Sequence, residues 1–101
     1  MSLTAINKDT VLRELRALKP ELEKRYGVTR IGIFGSLARD EAGENSDIDV
    51  VVEMREPNLF LKVHIKETLE EDFKRPVDVV RYREKMNHHL KARIDREAVY
   101  V

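Results

Sequence analysis

Residues 33–52, IFGSLARDEAGENSDIDVVV, decide the fold of this chain. The stretch leaves an apolar run at Gly35-Ser36, crosses a polar segment, and enters a second apolar run at Asp47. Two apolar runs joined by so short a segment indicate two strands that pair as antiparallel neighbours. Two carboxylates, on Asp47 and Asp49, lie where the second strand begins, and their position needs an explanation.

Side chains alternate between the two faces of a strand, and this alternation separates the aspartates from most of the apolar side chains. Asp47 and Asp49 share one face with Val51. The opposite face is wholly apolar and is expected to pack against helices; it carries Ile48, Val50 and Val52. The two aspartate Cα atoms are then about 6.6 Å apart, so the carboxylates repel each other unless a cation lies between them.

A divalent metal ion would supply that cation. Mg²⁺ prefers oxygen ligands, commonly one or two carboxylates together with phosphate oxygens of the substrate. Two-metal sites hold their ions about 3.5–4 Å apart, a gap that carboxylates at i and i+2 can bridge. The best candidate for a third carboxylate is Asp78, in the apolar strand over residues 77–81. Ser46-Asp47 alone would also suit a turn, but Asp49 and Asp78 lie inside apolar strands, where aspartate is depleted.

Gly35 and Ser36 lie where the first strand ends and a short helix over residues 36–42 is predicted. Glycine lets the backbone approach a ligand closely, and N–H groups at a helix start attract phosphate. Ser36 could cap the helix or bind phosphate through its hydroxyl, and Arg39 could add positive charge. An ordinary capped turn is the alternative interpretation; proximity to the aspartate strand favours a phosphate site.

Apolar periodicity predicts the remaining elements. These are helices over residues 8–26 and 58–73 and along the stripe Met86, Leu90 and Ile94, strands over residues 28–34, 47–54 and 77–81, a turn over residues 43–46, and a final AVYV that forms a short strand or a docked tail. Pro20 predicts a kink or restart in the first helix, and Gly27 predicts its end. The order predicts one α/β domain over residues 1–101, with a small mixed sheet and helices packed on one face.

The composition excludes several classes of protein. Basic and acidic residues balance at 19 each, so no net field favours direct nucleic-acid binding. The absence of cysteine excludes disulfides and thiolate metal sites. No apolar run approaches the length of a membrane span, so a cytoplasmic protein is expected. The three histidines, at 64, 88 and 89, lack metal-ligand spacing and are interpreted as surface or boundary residues.

Gly35-Ser36, ten intervening residues and then Asp47-Ile48-Asp49 resemble the GS-x10-DxD motif of minimal nucleotidyltransferase (MNT) domains, which belong to the DNA polymerase β-like nucleotidyltransferase superfamily. The resemblance covers nearly the whole chain, from a leading helix that ends in Tyr-Gly to a terminal helix. One position departs from the pattern. Asp40 follows Arg39 where family members often have glycine.

The resemblance implies a small polymerase β-like palm fold and a Mg²⁺-dependent transfer of AMP from ATP to a hydroxyl group. Asp47, Asp49 and Asp78 would be catalytic and would bind two Mg²⁺ ions. Gly35, Ser36 and Arg39 would bind the nucleotide. Stand-alone MNT proteins resemble antitoxins of HEPN/MNT pairs, so the implied partner is a HEPN toxin that is modified on a tyrosine, and the implied assembly is a hetero-oligomer.

Two other functions stay open at the level of the sequence. The chain could neutralise a toxin by binding alone, without catalysis. It could also transfer a nucleotide to a small molecule, although such enzymes usually need a second domain to hold the acceptor, and 101 residues leave little room for one.

Overall fold

The computed structural model describes residues 7–43 and 46–101. Within these residues the chain forms, in order, α1 (Lys8–Tyr26), β1 (Val28–Phe34), α2 (Gly35–Ala38), β2 (Ile48–Met54), α3 (Leu59–Phe73), β3 (Val77–Arg81), α4 (His88–Glu97) and β4 (Val99–Tyr100). The predicted order is confirmed, and the final AVYV contributes a short strand.

Local sequence signals fix both ends of α1. The side chain of Asn7 accepts a hydrogen bond from the Thr10 N–H at 2.8 Å, as an N-cap residue does. Gly27 ends the helix in the left-handed conformation, with φ 72°. The helix continues through Pro20, so the predicted restart is wrong. Pro20 is exposed, so water can satisfy the carbonyl that its missing N–H leaves unbonded.

The second helix is shorter than predicted. It spans Gly35–Ala38 instead of residues 36–42. The chain leaves helical geometry at Asp40, whose φ of 61° is left-handed. The predicted turn over residues 43–46 includes two residues outside the described part of the chain. Its ends are joined by a bond from the Ser46 N–H to the Gly43 carbonyl at 3.2 Å and one from the Gly43 N–H to Ser46 Oγ at 2.8 Å.

The four strands form one mixed sheet in the order β3-β2-β1-β4. β1 and β2 are antiparallel neighbours, as the short connection predicted. β3 runs parallel to β2, and α3 provides the crossover that a parallel pair needs. β4 pairs antiparallel with the other side of β1 through Gly32 and Ile33.

One face of the sheet, here called the core face, packs against α1 and α3. Helical stripes and alternate strand residues supply its buried side chains, as predicted. The fully or almost fully buried members include Val11, Leu15, Leu22, Ile31, Ile33, Ile48, Val50, Val52, Ile65, Leu69, Val77 and Val79. Burying each such side chain contributes about 1.5–3 kcal/mol relative to leaving it exposed, so this face supplies most of the stability.

The opposite face carries Asp49 and Asp78 and is here called the acidic face. The mixed fold is confirmed, but the expectation that helices pack on one face holds only for α1 and α3. The fourth helix covers part of the acidic face, where Ile94 packs with Phe34 and Val51 in a second buried cluster. The apolar stripe of α4 needs an apolar partner, and Val51, on the same face as the aspartates, provides one.

The dimensions match a compact chain of this length. The Cα radius of gyration is 12.9 Å, against about 13 Å expected for 100 residues. Among the described residues, no helix has both the length and the apolar character required to cross a bilayer.

Candidate active site

Asp49 and Asp78 are brought side by side by the parallel pairing of their strands. They are register partners, Asp49 in β2 and Asp78 in β3. Neighbouring strands lie about 4.8 Å apart, so the two residues meet on the same face. Asp78 is exposed and Asp49 is half-buried. Asp47 is exposed and lies just before β2, two residues from Asp49.

Burial and the neighbouring carboxylates change the pKa of Asp49. Its pKa is raised, first by burial and then by the negative charge of Asp78. Asp47 raises the pKa further, while Arg93 and Arg39 act in the opposite direction. The charged form of Asp49 is therefore destabilised, and a bound cation would stabilise it.

The chemistry of these donors fits Mg²⁺, which prefers carboxylate oxygens. The positions of the described side chains, in contrast, do not form a complete metal site. Over residues 7–43 and 46–101, no three His, Cys, Asp or Glu side chains are gathered closely enough to hold a metal ion. The backbone register brings Asp49 and Asp78 together, and the predicted site of three aspartates stays a prediction.

Gly35 connects the Gly-Ser turn to the aspartates. Its φ of 76° is left-handed, where a side chain is strained. A Cβ at this position would also collide with Asp49 Oδ2. The carboxylate lies against the glycine because Phe34, the last residue of β1, is the register partner of Asp49. The predicted proximity of the turn and the aspartates is confirmed.

The role of Ser36 in the helix differs from the expectation. The helix begins at Gly35, and Phe34 occupies the N-cap position without a side-chain bond. Ser36 therefore does not cap α2. Its side chain is half-exposed beside Gly35, and its carbonyl accepts a hydrogen bond from the Glu41 N–H at 2.8 Å.

Arg39 lies just after α2 between two carboxylates. Its Nε donates to Glu41 Oε1 at 2.8 Å, and its Nη1 donates to Glu97 Oε1 at 2.9 Å. The same Glu97 oxygen accepts from the Gly35 N–H at 3.2 Å. The positive charge of Arg39 reaches Asp49, whose pKa it lowers. Glu97 thus joins Gly35 and Arg39, and their role in binding a nucleotide stays a prediction.

Asp40 points away from this group. Its carboxylate lies 3.9 Å from Lys8 Nζ at the start of α1 and is 71% exposed. Its left-handed φ of 61° explains why glycine suits the equivalent position in the family pattern. The departure at Asp40 affects the turn and leaves the Gly35 end of the site clear.

Sequence reasoning did not identify Glu97 and Arg93, both in α4. Arg93 lies with its guanidinium carbon 5.8 Å from the centre of the Phe34 ring and lowers the pKa of Asp49. Glu97 carried one weak signal. A carboxylate in the last turn of a helix opposes the macrodipole, which favours cations there.

The remaining candidates lie elsewhere. All three histidines are exposed, and His64 stacks on Tyr26 with ring centres 6.3 Å apart. A surface depression of about 520 Å³ is lined by α1 and α3 residues such as Glu21 and Thr68. Those helices pack on the core face, so this depression is on the other side of the sheet from Asp49.

Comparison with known proteins identifies relatives of this chain. The sequence profile of the family described as "Nucleotidyltransferase domain" matches residues 15–101. A protein adenylyltransferase, MntA, of Thermococcus cleftensis is 40% identical over 88 residues, which is 86% of this chain and 88% of that protein.

Solved structures agree in fold. One of a candidate minimal nucleotidyltransferase superposes with a TM-score of 0.77 at 33% identity and covers 95% of this chain and 97% of that one. A chain from the complex of a tri-AMPylated HEPN toxin with an MNT antitoxin, from Shewanella oneidensis, superposes with a TM-score of 0.59 at 19% identity, covering 93% of this chain and 67% of that one. At that identity the likeness concerns the fold alone.

Proposed function

The chain belongs to the nucleotidyltransferase domain family, as a minimal nucleotidyltransferase of the polymerase β-like fold, and we propose that it transfers AMP from ATP to a hydroxyl group of a partner protein. The observation that carries this proposal is the pairing of Asp49 with Asp78 beside Gly35. The name of its relative MntA, a protein adenylyltransferase, supports the same reaction. Because ATP is the proposed donor, the proposal also places the chain in the cytoplasm.

The proposed partner is a HEPN-type toxin, and the proposed acceptor is a tyrosine hydroxyl. The Shewanella oneidensis complex of an AMPylated HEPN toxin with an MNT antitoxin supports this choice. In the proposal the chain is an antitoxin that silences its partner by modification, within a hetero-oligomer. In the proposal, residues 1–101 form a single nucleotidyltransferase domain, and the acceptor tyrosine belongs to the partner protein.

Each proposed site residue has a role that follows from its position. Asp47, Asp49 and Asp78 would hold two Mg²⁺ ions, which would neutralise phosphate charge and make the attacking hydroxyl more acidic. The backbone at Gly35 lets the triphosphate approach, and Ser36 and Arg39 donate to its oxygens.

In the reaction, the acceptor oxygen forms a bond to the α-phosphorus, and the bond from that phosphorus to the bridging oxygen of pyrophosphate breaks. Asp78, the exposed carboxylate of the Asp49–Asp78 pair, accepts the proton of the hydroxyl. The chain contributes chiefly by holding the two reactants in line and by surrounding the phosphates with complementary charge.

The experiment is an AMP-transfer assay on the partner. The protein encoded by the neighbouring reading frame is purified with this chain and incubated with ATP and Mg²⁺, and intact-mass and peptide spectra are recorded. The proposal expects an AMP adduct on a tyrosine that disappears with a metal chelator and in Asp78→Asn. Asp72→Asn, an exposed aspartate of α3, is the matched control. A tight complex without any adduct would contradict the proposal and favour neutralisation by binding alone.

A further inference from the structure

Glu97 joins the end of α4 to both ends of α2. Its side chain is 11% exposed. One oxygen, Oε1, accepts hydrogen bonds from the Gly35 N–H at 3.2 Å and from Arg39 Nη1 at 2.9 Å. The other oxygen lies 3.9 Å from Arg96 Nη2. A single carboxylate thus fixes two of the groups proposed to hold the nucleotide.

The location of Glu97 is unfavourable for α4 itself. The last turn of a helix carries partial negative charge and favours cations, and a largely buried carboxylate costs free energy unless it is hydrogen-bonded. The bonds to Gly35 and Arg39 compensate this cost, because bonds to a charged acceptor are about twice as strong as neutral ones. A carboxylate at this position does not stabilise the helix, but it does stabilise the Gly35 turn, from whose N–H it accepts a hydrogen bond.

The geometry leaves Arg39 able to bind phosphate. A guanidinium has five N–H donors in a fixed plane, and the bonds to Glu41 and Glu97 use one each. N–H groups remain on both terminal nitrogens. The bond from Nη1 to the largely buried Glu97 carboxylate limits rotation of the guanidinium, so its remaining donors keep one direction. The exposed Glu41 contributes little to this orientation.

We propose that Glu97 is a positioning residue for adenylyl transfer: its carboxylate orients Arg39 and holds the Gly35 turn so that both meet the triphosphate of ATP. This inference rests on the proposed function and adds a residue of α4 to it. The packing of α4 on the acidic face then has a functional consequence. The helix carries the carboxylate to the turn from a distant part of the sequence.

The test measures ATP binding by calorimetry in the presence of Mg²⁺, together with kcat and KM for ATP in the transfer assay. Glu97→Ala should weaken ATP binding and raise KM about ten-fold or more, as loss of charge-assisted bonds predicts, with a smaller change in kcat. Glu97→Gln keeps an oxygen acceptor for both donors and should recover most of the affinity. Unchanged or tighter ATP binding in Glu97→Ala would overturn the inference.

Glu41→Ala is the matched control, because Glu41 also pairs with Arg39 but is 62% exposed. Exposed ion pairs contribute little, so this variant should bind ATP within about three-fold of the wild type. An effect equal to that of Glu97→Ala would show that any carboxylate beside Arg39 suffices, and would contradict a specific role for Glu97.

A double-variant cycle separates positioning from general loss of structure. If Glu97 acts through Arg39, Glu97→Ala should have much less effect on ATP affinity in an Arg39→Ala background than alone. A full additional loss in that background would overturn the inference. Wild-type protein that does not bind ATP would contradict the proposed function as well, whereas wild-type binding with a silent Glu97→Ala would contradict this inference alone.

Discussion

The two faces of β2 differ in what they contribute to the molecule. On the core face, Ile48, Val50 and Val52 are fully buried against α1 and α3. On the acidic face, Asp49 is half-buried, with a raised pKa, beside Asp78 and Gly35. One face gains stability from burial, and the other holds like charges together at a cost. The strand alternation lets a seven-residue strand do both.

The largest expected effect on stability belongs to the core face. Ile48→Ala should lower the free energy of unfolding by about 2–5 kcal/mol, because it leaves a cavity in a close-packed interior. Its neighbour Asp49→Asn should change that free energy by less than about 1 kcal/mol, since it removes a charge that burial and Asp78 disfavour. Urea denaturation measures both. Equal losses in the two variants would remove the distinction between the faces.

Gly35→Ala should have the next largest effect, because it acts where the acidic face meets the turn. The left-handed φ of 76° would cost a side chain about 1–2 kcal/mol, and the added Cβ would displace the Asp49 carboxylate. Both stability and AMP transfer should fall.

Gly43→Ala is the matched control for that change. Among the residues that the structure describes, a Cβ at Gly43 meets Ser46 Oγ at 3.9 Å, an ordinary contact. This variant should keep the transition midpoint and the transfer rate of the wild type. A Gly35→Ala protein that behaves like Gly43→Ala would show that the close approach to Asp49 is unimportant.

The smallest effect concerns the attachment of α4 to the acidic face. Tyr82 donates to Asp95 Oδ1 at 2.7 Å, and this bond raises the pKa of Tyr82 to about 12 from an ordinary 10. A raised pKa favours the protonated phenol in the folded state. The contribution of this bond is therefore complete below pH 10 and is lost as the pH rises toward about 12.

Ultraviolet titration of the tyrosines checks this prediction. One phenol should ionise near pH 12 in the wild type, and that late step should be absent in Tyr82→Phe. Tyr100, whose pKa is raised mainly by burial, remains in both proteins as an internal reference. A wild-type titration without a late step that depends on Tyr82 would show that the bond to Asp95 does not form.

The strand alternation was sufficient to predict which side chains of β2 face the core and that Asp49 and Asp78 share the other face. It could not reveal that β3 is parallel to β2, which puts the two aspartates in direct register. The apolar residue Val51 on the aspartate face was the available sign that α4 would cover part of it. The local pattern marked Glu97 only as a carboxylate unusual in a last helical turn, and it could not reveal the contact with Gly35, which is 62 residues away in the sequence.

Short local features were partly predictable. Gly27 and Asn58 lie at the ends of helices as their residue types suggest. The length of α2 was overpredicted because Asp40 adopts a left-handed conformation that glycine adopts more readily. The side-chain arrangement needed for metal binding depends on rotamers, which alternation along a strand does not determine.

The most direct test of the central claim, that the acidic face transfers AMP, is the rate at which Asp49→Asn transfers label from α-labelled ATP to the partner. Asp49→Asn should lose at least about 10²-fold in rate, the scale for removing a group that stabilises transition-state charge, while its unfolding curve matches that of the wild type. Asp72→Asn should transfer label at the wild-type rate. Normal transfer by a folded Asp49→Asn would contradict the account.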